Sequence, residues 1–165
     1  MTLSFSSPVV LLEQQRLAQA QTDGFSLFAI KPEADVPGFV YTIGMCQHEL
    51  YELLCFYPDS DAASAAGDVA DVCRRMITAS QRLSRIDLLR QVVHGPRLTM
   101  PSGAVVNFDI LRGHDFMDSL QCYLTRSVRY RQELGMPRGV LVMQREDVPT
   151  FQQIRALRML QLSDN

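Results

Sequence analysis

The sequence predicts an α+β fold: a single domain, residues 1–165, in which a mainly antiparallel β-sheet is packed by several α-helices. Three observations lead there. Short segments rich in β-branched and aromatic residues follow one another across tight turns, which favours antiparallel neighbours. Longer segments with apolar residues at helical spacing supply a covering layer. A chain of 165 residues, 47% hydrophobic and 21% charged, is long enough to bury around two thirds of its unfolded surface without a staple.

Taken in order, Ser7 and Pro8 read as N-cap and first helical residue, and Val9, Leu12, Arg16 and Leu17 recur near helical spacing until Asp23-Gly24. Phe25 to Ile30 fits a strand that ends at Lys31-Pro32, and Pro32, Asp35, Pro37 and Gly38 make the next turn. Phe39 to Ile43 has the composition of a second strand and Leu50 to Tyr57 of a third. After Pro58 a helix opens with Asp59 and Asp61 in its first turn, as the helix dipole prefers, and runs to about Gln81. Its inner face is Ala62, Ala66, Val69, Cys73, Met76 and Ile77.

Residues 82–97 set Arg82, Arg85, Arg90 and Arg97 around Ile86, Leu88, Leu89, Val92 and Val93, and their state is left open. Leu98 to Met100, the turn Pro101-Ser102-Gly103, and Ala104 to Leu111 read as a hairpin. A helix over about 118–134 follows, closed by Gly135 and Pro137; then comes a strand from Gly139 to Gln144 and a last helix from Pro149.

Net charge is −2, but it is unevenly laid out: residues 1–73 carry −8 and residues 74–165 carry +6. Fifteen of the sixteen basic residues are arginine, which codon usage in a GC-rich genome explains first. Packing of the two halves against each other then predicts mutual neutralisation. The strongest basic window, 74–97, is +5, yet a chain of pI about 5.9 without a recognisable binding motif argues against nucleic acid. The N-terminus lacks the basic start and long apolar centre of a secretory signal, and no apolar run is long enough to span a bilayer, so a cytoplasmic location away from membranes is expected. Cys55, Cys73 and Cys122 read as buried thiols.

The most distinctive stretch is Gly38-Phe39-Val40-Tyr41-Thr42-Ile43-Gly44-Met45, followed by Cys46, His48 and Glu52. With Gly24-Phe25, Pro37-Gly38-Phe39, Tyr41-Thr42-Ile43-Gly44-Met45 and Glu52-Leu53, the chain resembles a bacterial family known only as domain of unknown function 4262. Phe25 stands where that family has tryptophan, Tyr51 where it has proline, and Arg145-Glu146-Asp147 where it has Trp-Pro-Asp. A fainter echo lies at Tyr130 and Val140 to Gln144. The resemblance implies a domain type and no activity.

Two groups of candidate residues follow. Tyr41, Thr42, Gly44, Cys46, His48 and Glu52 are the densest set of reactive types and could line a ligand pocket, with Gly44 allowing close approach. On a strand, Cys46 and His48 would share a face and form a thiolate–imidazolium pair, although no third orienting residue or oxyanion donor accompanies them. The bland alternative is a strand end with Tyr41 packed and its hydroxyl satisfied. Arg74, Arg75, Arg82, Arg85 and Arg90 form the second group, a candidate partner surface. His48, His94, His114, Asp115, Asp118 and Glu52 follow no metal-ligand spacing, and Gly-x-Gly phosphate loops are absent.

The sequence thus points to a non-catalytic binding protein with no cofactor and no metal. A protein partner is the leading class, neutralisation of a toxin or effector (an immunity role) suits so small a domain, and self-association into a homo-oligomer is a further partner class. The rival reading is a small-ligand protein or hydrolase-like enzyme with a pocket near Tyr41, Cys46 and His48. A third is nucleic-acid binding through the arginines of 74–97.

Overall fold

The computed structural model describes residues 8–32, 37–58, 62–111, 132–135, 138–150 and 153. In chain order these form α1 (Pro8–Asp23), β1 (Ser26–Ile30), β2 (Gly38–Ile43), a 3-10 helix (Met45–His48), β3 (Glu52–Tyr57), α2 (Ala62–Ser80), α3 (Arg85–His94), β4 (Leu98–Thr99), β5 (Val105–Ile110) and β6 (Val140–Arg145). The strands make one six-stranded sheet in the order β1-β2-β3-β6-β5-β4. All neighbours are antiparallel except β3 and β6, which pair in parallel with Glu52 opposite Val140. The fold is α+β, as the strand spacing predicts.

The sheet is covered on both faces at its centre. On one side Val40, Leu53, Cys55, Val106, Phe108, Leu141 and Met143 pack with Val69, Cys73 and Met76 of α2 and Leu88 of α3. On the other, Phe39, Tyr41, Leu54, Phe56, Val140 and Val142 pack with Leu17 and Ala20 of α1 and with Leu111, Leu134 and Val148. Strands enclosed on both faces read as continuous apolar runs, and every residue of β2 and β3 is buried. Toward the edge, β5 alternates instead: Val106 and Phe108 face inward while Asn107 and Asp109 are exposed.

Several local choices fix this arrangement. Gly38 starts β2 where the Tyr57 ring crosses it to donate its hydroxyl to Ile30 O at 2.8 Å, and a Cβ on Gly38 would meet that ring at 2.5 Å. Asp68, buried on α2, accepts from the Ser102 hydroxyl at 2.5 Å and the Ser102 N–H at 3.3 Å, which ties the β4–β5 turn to the helix. Gly103 takes the left-handed position of that turn at φ 90°.

Residues 82–97 contain α3 and lead into β4, which opens at Leu98. Ser84 caps α3 by accepting from Asp87 N–H at 3.2 Å while its hydroxyl donates to the Asp87 carboxylate at 2.8 Å. Asp87 stands at the N3 position of a capping box but accepts the Ser84 hydroxyl in place of its backbone N–H, and the pair was present in the sequence as Ser84-Arg85-Ile86-Asp87. The inner face of α2 also includes Ala65, Val72 and Asp68 beside the expected Val69, Cys73 and Met76. Asp59 and Asp61 lie outside the described residues, as do most of the expected 118–134 helix and the last helix. Of the former, 132–134 are helical. At the head of the latter, Thr150 N–H donates to Gln153 Oε1 at 2.8 Å and Gln153 N–H to Thr150 Oγ1 at 3.3 Å, again a reciprocal cap.

Candidate functional site

The residues that follow β2 do not continue as strand. Gly44 adopts φ 100°, a conformation that side chains disfavour, and turns the chain into the 3-10 helix; Glu49 ends that helix at φ 60°. A Cβ on Gly44 would also meet Ala20 Cβ at 3.1 Å, so the glycine serves both turn and contact with α1. Gly44 is therefore a hinge of the backbone, with its free side packed against protein.

The 3-10 helix ties down the end of α1. Gln47 Nε2 donates to Ala20 O and to Gly44 O, each at 3.0 Å, and His48 Nε2 lies 3.0 Å from Gly24 O. A carbonyl partner assigns the imidazole proton to Nε2. Ala20 O already accepts the Gly24 N–H at 3.0 Å, so Gln47 adds a second donor there, while His48 serves Gly24 O just beyond the C-terminus of α1. Two residues span about two thirds of a 3-10 turn, so Cys46 and His48 point apart, which a strand would not have done.

Cys46 turns the other way. Its Sγ is 3.3 Å from Leu134 O, and its backbone N–H donates to Glu52 Oε1 at 3.2 Å. Burial, and after it the facing Glu52 carboxylate, push the Cys46 thiol up to about 12. The nucleophilic form of cysteine is the thiolate. With its thiol neutral and the imidazole engaged elsewhere, Cys46 lacks the activation a Cys–His pair requires.

Glu52 is the centre of the cluster, at 1% exposure. Thr42 Oγ1 donates to Glu52 Oε2 at 2.5 Å and accepts the Leu53 N–H at 2.9 Å, so one hydroxyl joins carboxyl and backbone where β2 and β3 separate. Glu52 N–H donates to Gly139 O at 3.0 Å, at the start of the parallel pairing with β6. Burial raises the Glu52 carboxyl to about 7, opposed by its hydrogen bonds from Thr42 and Cys46. Tyr41 belongs to the opposite packing layer, with its ring stacked on Phe28 at 5.1 Å. The structure thus brings Thr42, Cys46 and Glu52 together and holds Tyr41, Gly44 and His48 in three other contacts.

The arginines have a different setting. Arg74 and Arg75 are exposed on α2, Arg82 in the following turn, and Arg85 and Arg90 on α3. Arg75 pairs with Asp71 four residues before it, at 3.0 Å. Among the described residues, Arg74, Arg82, Arg85 and Arg90 form no ion pair, and Glu49–Arg138 at 3.3 Å is the bridge that joins acid and base from distant parts of the chain across residue 73. Neutralisation between the halves is thus slight among the described residues. Arg74, Arg75, Thr78, Ala79, Arg82 and Leu83 line a surface groove of about 560 Å³. Ile86, three residues beyond Leu83, is 59% exposed. Sequence reasoning did not single it out, although a β-branched residue amid arginines was the available signal.

Among the described residues no three His, Cys, Asp or Glu side chains gather where a metal could be held; His114, Asp115 and Asp118 lie outside them. Cys55 and Cys73 are buried free thiols, and Cys122 is outside the described residues. No helix among the described residues is long and apolar enough to cross a membrane. Comparison of the chain with protein-family models, curated proteins and solved structures finds no significant match.

Proposed function

We propose that the protein is a non-catalytic binding protein whose partner is an acidic protein surface, engaged by the outer face of α2 and α3. The observation that carries this reading is Ile86, 59% exposed, with Arg90 four residues on along the same face of α3. An exposed apolar residue with arginines near it in the chain has the composition of an interface centre and its rim, where Arg is enriched and an apolar anchor supplies desolvation. Arg82 and Arg85 flank it in sequence without an ion pair to any described residue. Complementary charge on the partner would speed encounter and fix register. Neutralisation of an acidic toxin or effector is one role such a surface would serve.

The test is capture of a partner from the cells that make the protein, with the triple variant Arg82→Glu, Arg85→Glu, Arg90→Glu and with Ile86→Asp. Both variants should lose the partner that wild type retains, while Cys46→Ala keeps it. A partner retained by both surface variants would place the interface elsewhere.

A further inference from the structure

We propose that the cleft between α1, β1 and α2 is a binding site for a small carboxylate with an apolar body. The cleft encloses about 620 Å³, within the range of small-molecule sites, and is lined on the inside by Phe25, Leu27, Val40, Ala66 and Ala70. Its polar side chains among the described residues are Arg16, Gln19 and Asp23 of α1 and Arg74 of α2. Both guanidiniums are held over aromatic rings: Arg16 lies 5.3 Å from the Phe28 centroid and Arg74 lies 6.0 Å from that of Phe25. The Phe28 ring is itself stacked on Tyr41 at an interplanar angle of 10°, so Arg16 rests on a fixed platform.

What distinguishes this cleft is an unmet donor. Arg16 Nε is buried and has no hydrogen-bond partner, and neither Arg16 nor Arg74 forms an ion pair with a described residue. An arginine fork matches the two oxygens of a carboxylate, and because Nε is closed to solvent a carboxylate would reach it by a turn of the guanidinium toward the cleft. Gln19 Oε1 already accepts from the Ser26 hydroxyl at 3.0 Å, which leaves its amide N–H groups as further donors. Among the described lining residues, two arginines against Asp23 leave one net positive charge, which favours a monoanion over a dianionic phosphate. The apolar inner wall then takes the body of the ligand while the head stays at the arginine rim.

Octanoate and 3-phenylpropanoate are the probes, with octanamide as the neutral control, titrated into the full-length chain and followed by amide chemical shifts. At least one carboxylate should bind saturably, moving the resonances of Leu27, Ala66 and Ala70, and octanamide should not. Arg16→Met, checked for an unchanged fold by its spectrum, should weaken binding by about tenfold or more, the usual loss for a charge-assisted bond. The proposal is overturned if neither carboxylate saturates, if the amide binds equally well, or if Arg16→Met binds as wild type does. Wild-type shifts clustered away from the cleft would overturn it without recourse to any variant.

Discussion

The junction of β2 and β3 and the outer face of α2 and α3 both hold reactive side chains, in opposite states. At the junction, Thr42, Cys46 and Glu52 answer one another: the hydroxyl and a backbone N–H donate to the carboxyl, and the thiol faces a backbone carbonyl. On α3 and in the turn before it, Arg82, Arg85 and Arg90 stand exposed without an ion pair to a described residue. The denser group in the sequence is the one closed in space. A cluster of titratable residue types therefore says less about a site than whether its donors and acceptors are already used, because a buried polar group must be paired to be tolerated.

Three measurements would break or sharpen that contrast. The largest expected effect is on Cys46: with its thiol raised to about 12, alkylation by iodoacetamide at neutral pH should be roughly thirtyfold to a thousandfold slower than for an unperturbed cysteine, the lower figure allowing for the greater nucleophilicity of the more basic thiolate. Labelling of Cys46 at the rate of a free thiol would show that the junction is open and reactive, and would restore the nucleophile reading.

Next comes the pH dependence set by Glu52, whose carboxyl is raised by burial from 4.5 to about 7. The folded chain holds this proton more tightly than the unfolded one, so the group's contribution to stability is full below about pH 4.5. It is then lost as pH rises to about 7 and is flat above. The shift corresponds to about 3 kcal/mol. Unfolding free energies of wild type and Glu52→Gln should accordingly diverge by about that amount between pH 4.5 and 7, in favour of the variant at the upper end. A difference is the right quantity because Asp147, lowered by its hydrogen bonds from Arg145, gains stability with rising pH at the acidic end. Parallel curves would mean that Glu52 is solvated in both states.

The smallest of the three is Thr42→Val, which removes the donor to Glu52 and the acceptor for Leu53 N–H while keeping the shape of the side chain. A loss of about 2 kcal/mol is expected in urea denaturation at pH 8. Unchanged stability would show that Glu52 and Leu53 find other partners, and that the junction is looser than its hydrogen bonds indicate.

The sequence determined the elements whose information is local. Apolar periodicity placed α1, α2 and the strands to within a residue or two, and the turn residues Gly103 and Gly135 fall at positive φ where a hairpin and a helix end were expected. The Ser84-to-Asp87 cap was legible too, but the surrounding arginines and β-branched residues obscured it. For the candidate site, the residue types of the 38–52 stretch were legible and their pairing was not. A strand reading placed Cys46 and His48 on one face, whereas the left-handed Gly44 turned them into a 3-10 helix and apart.

Tertiary structure alone decided the rest. The parallel pairing of β3 with β6 joins Glu52 to Val140, and no local pattern specifies which distant strand a buried run will adopt as its neighbour. That insertion encloses Glu52, and enclosure shifts its carboxyl to about 7. The same holds for Asp68, an ordinary helix acid in sequence whose burial makes it the anchor of the β4–β5 turn. The unmet Nε of Arg16 and the exposure of Ile86 likewise depend on what packs nearby. Secondary structure follows from the residues a segment contains; solvation, ionisation and availability follow from the residues it meets.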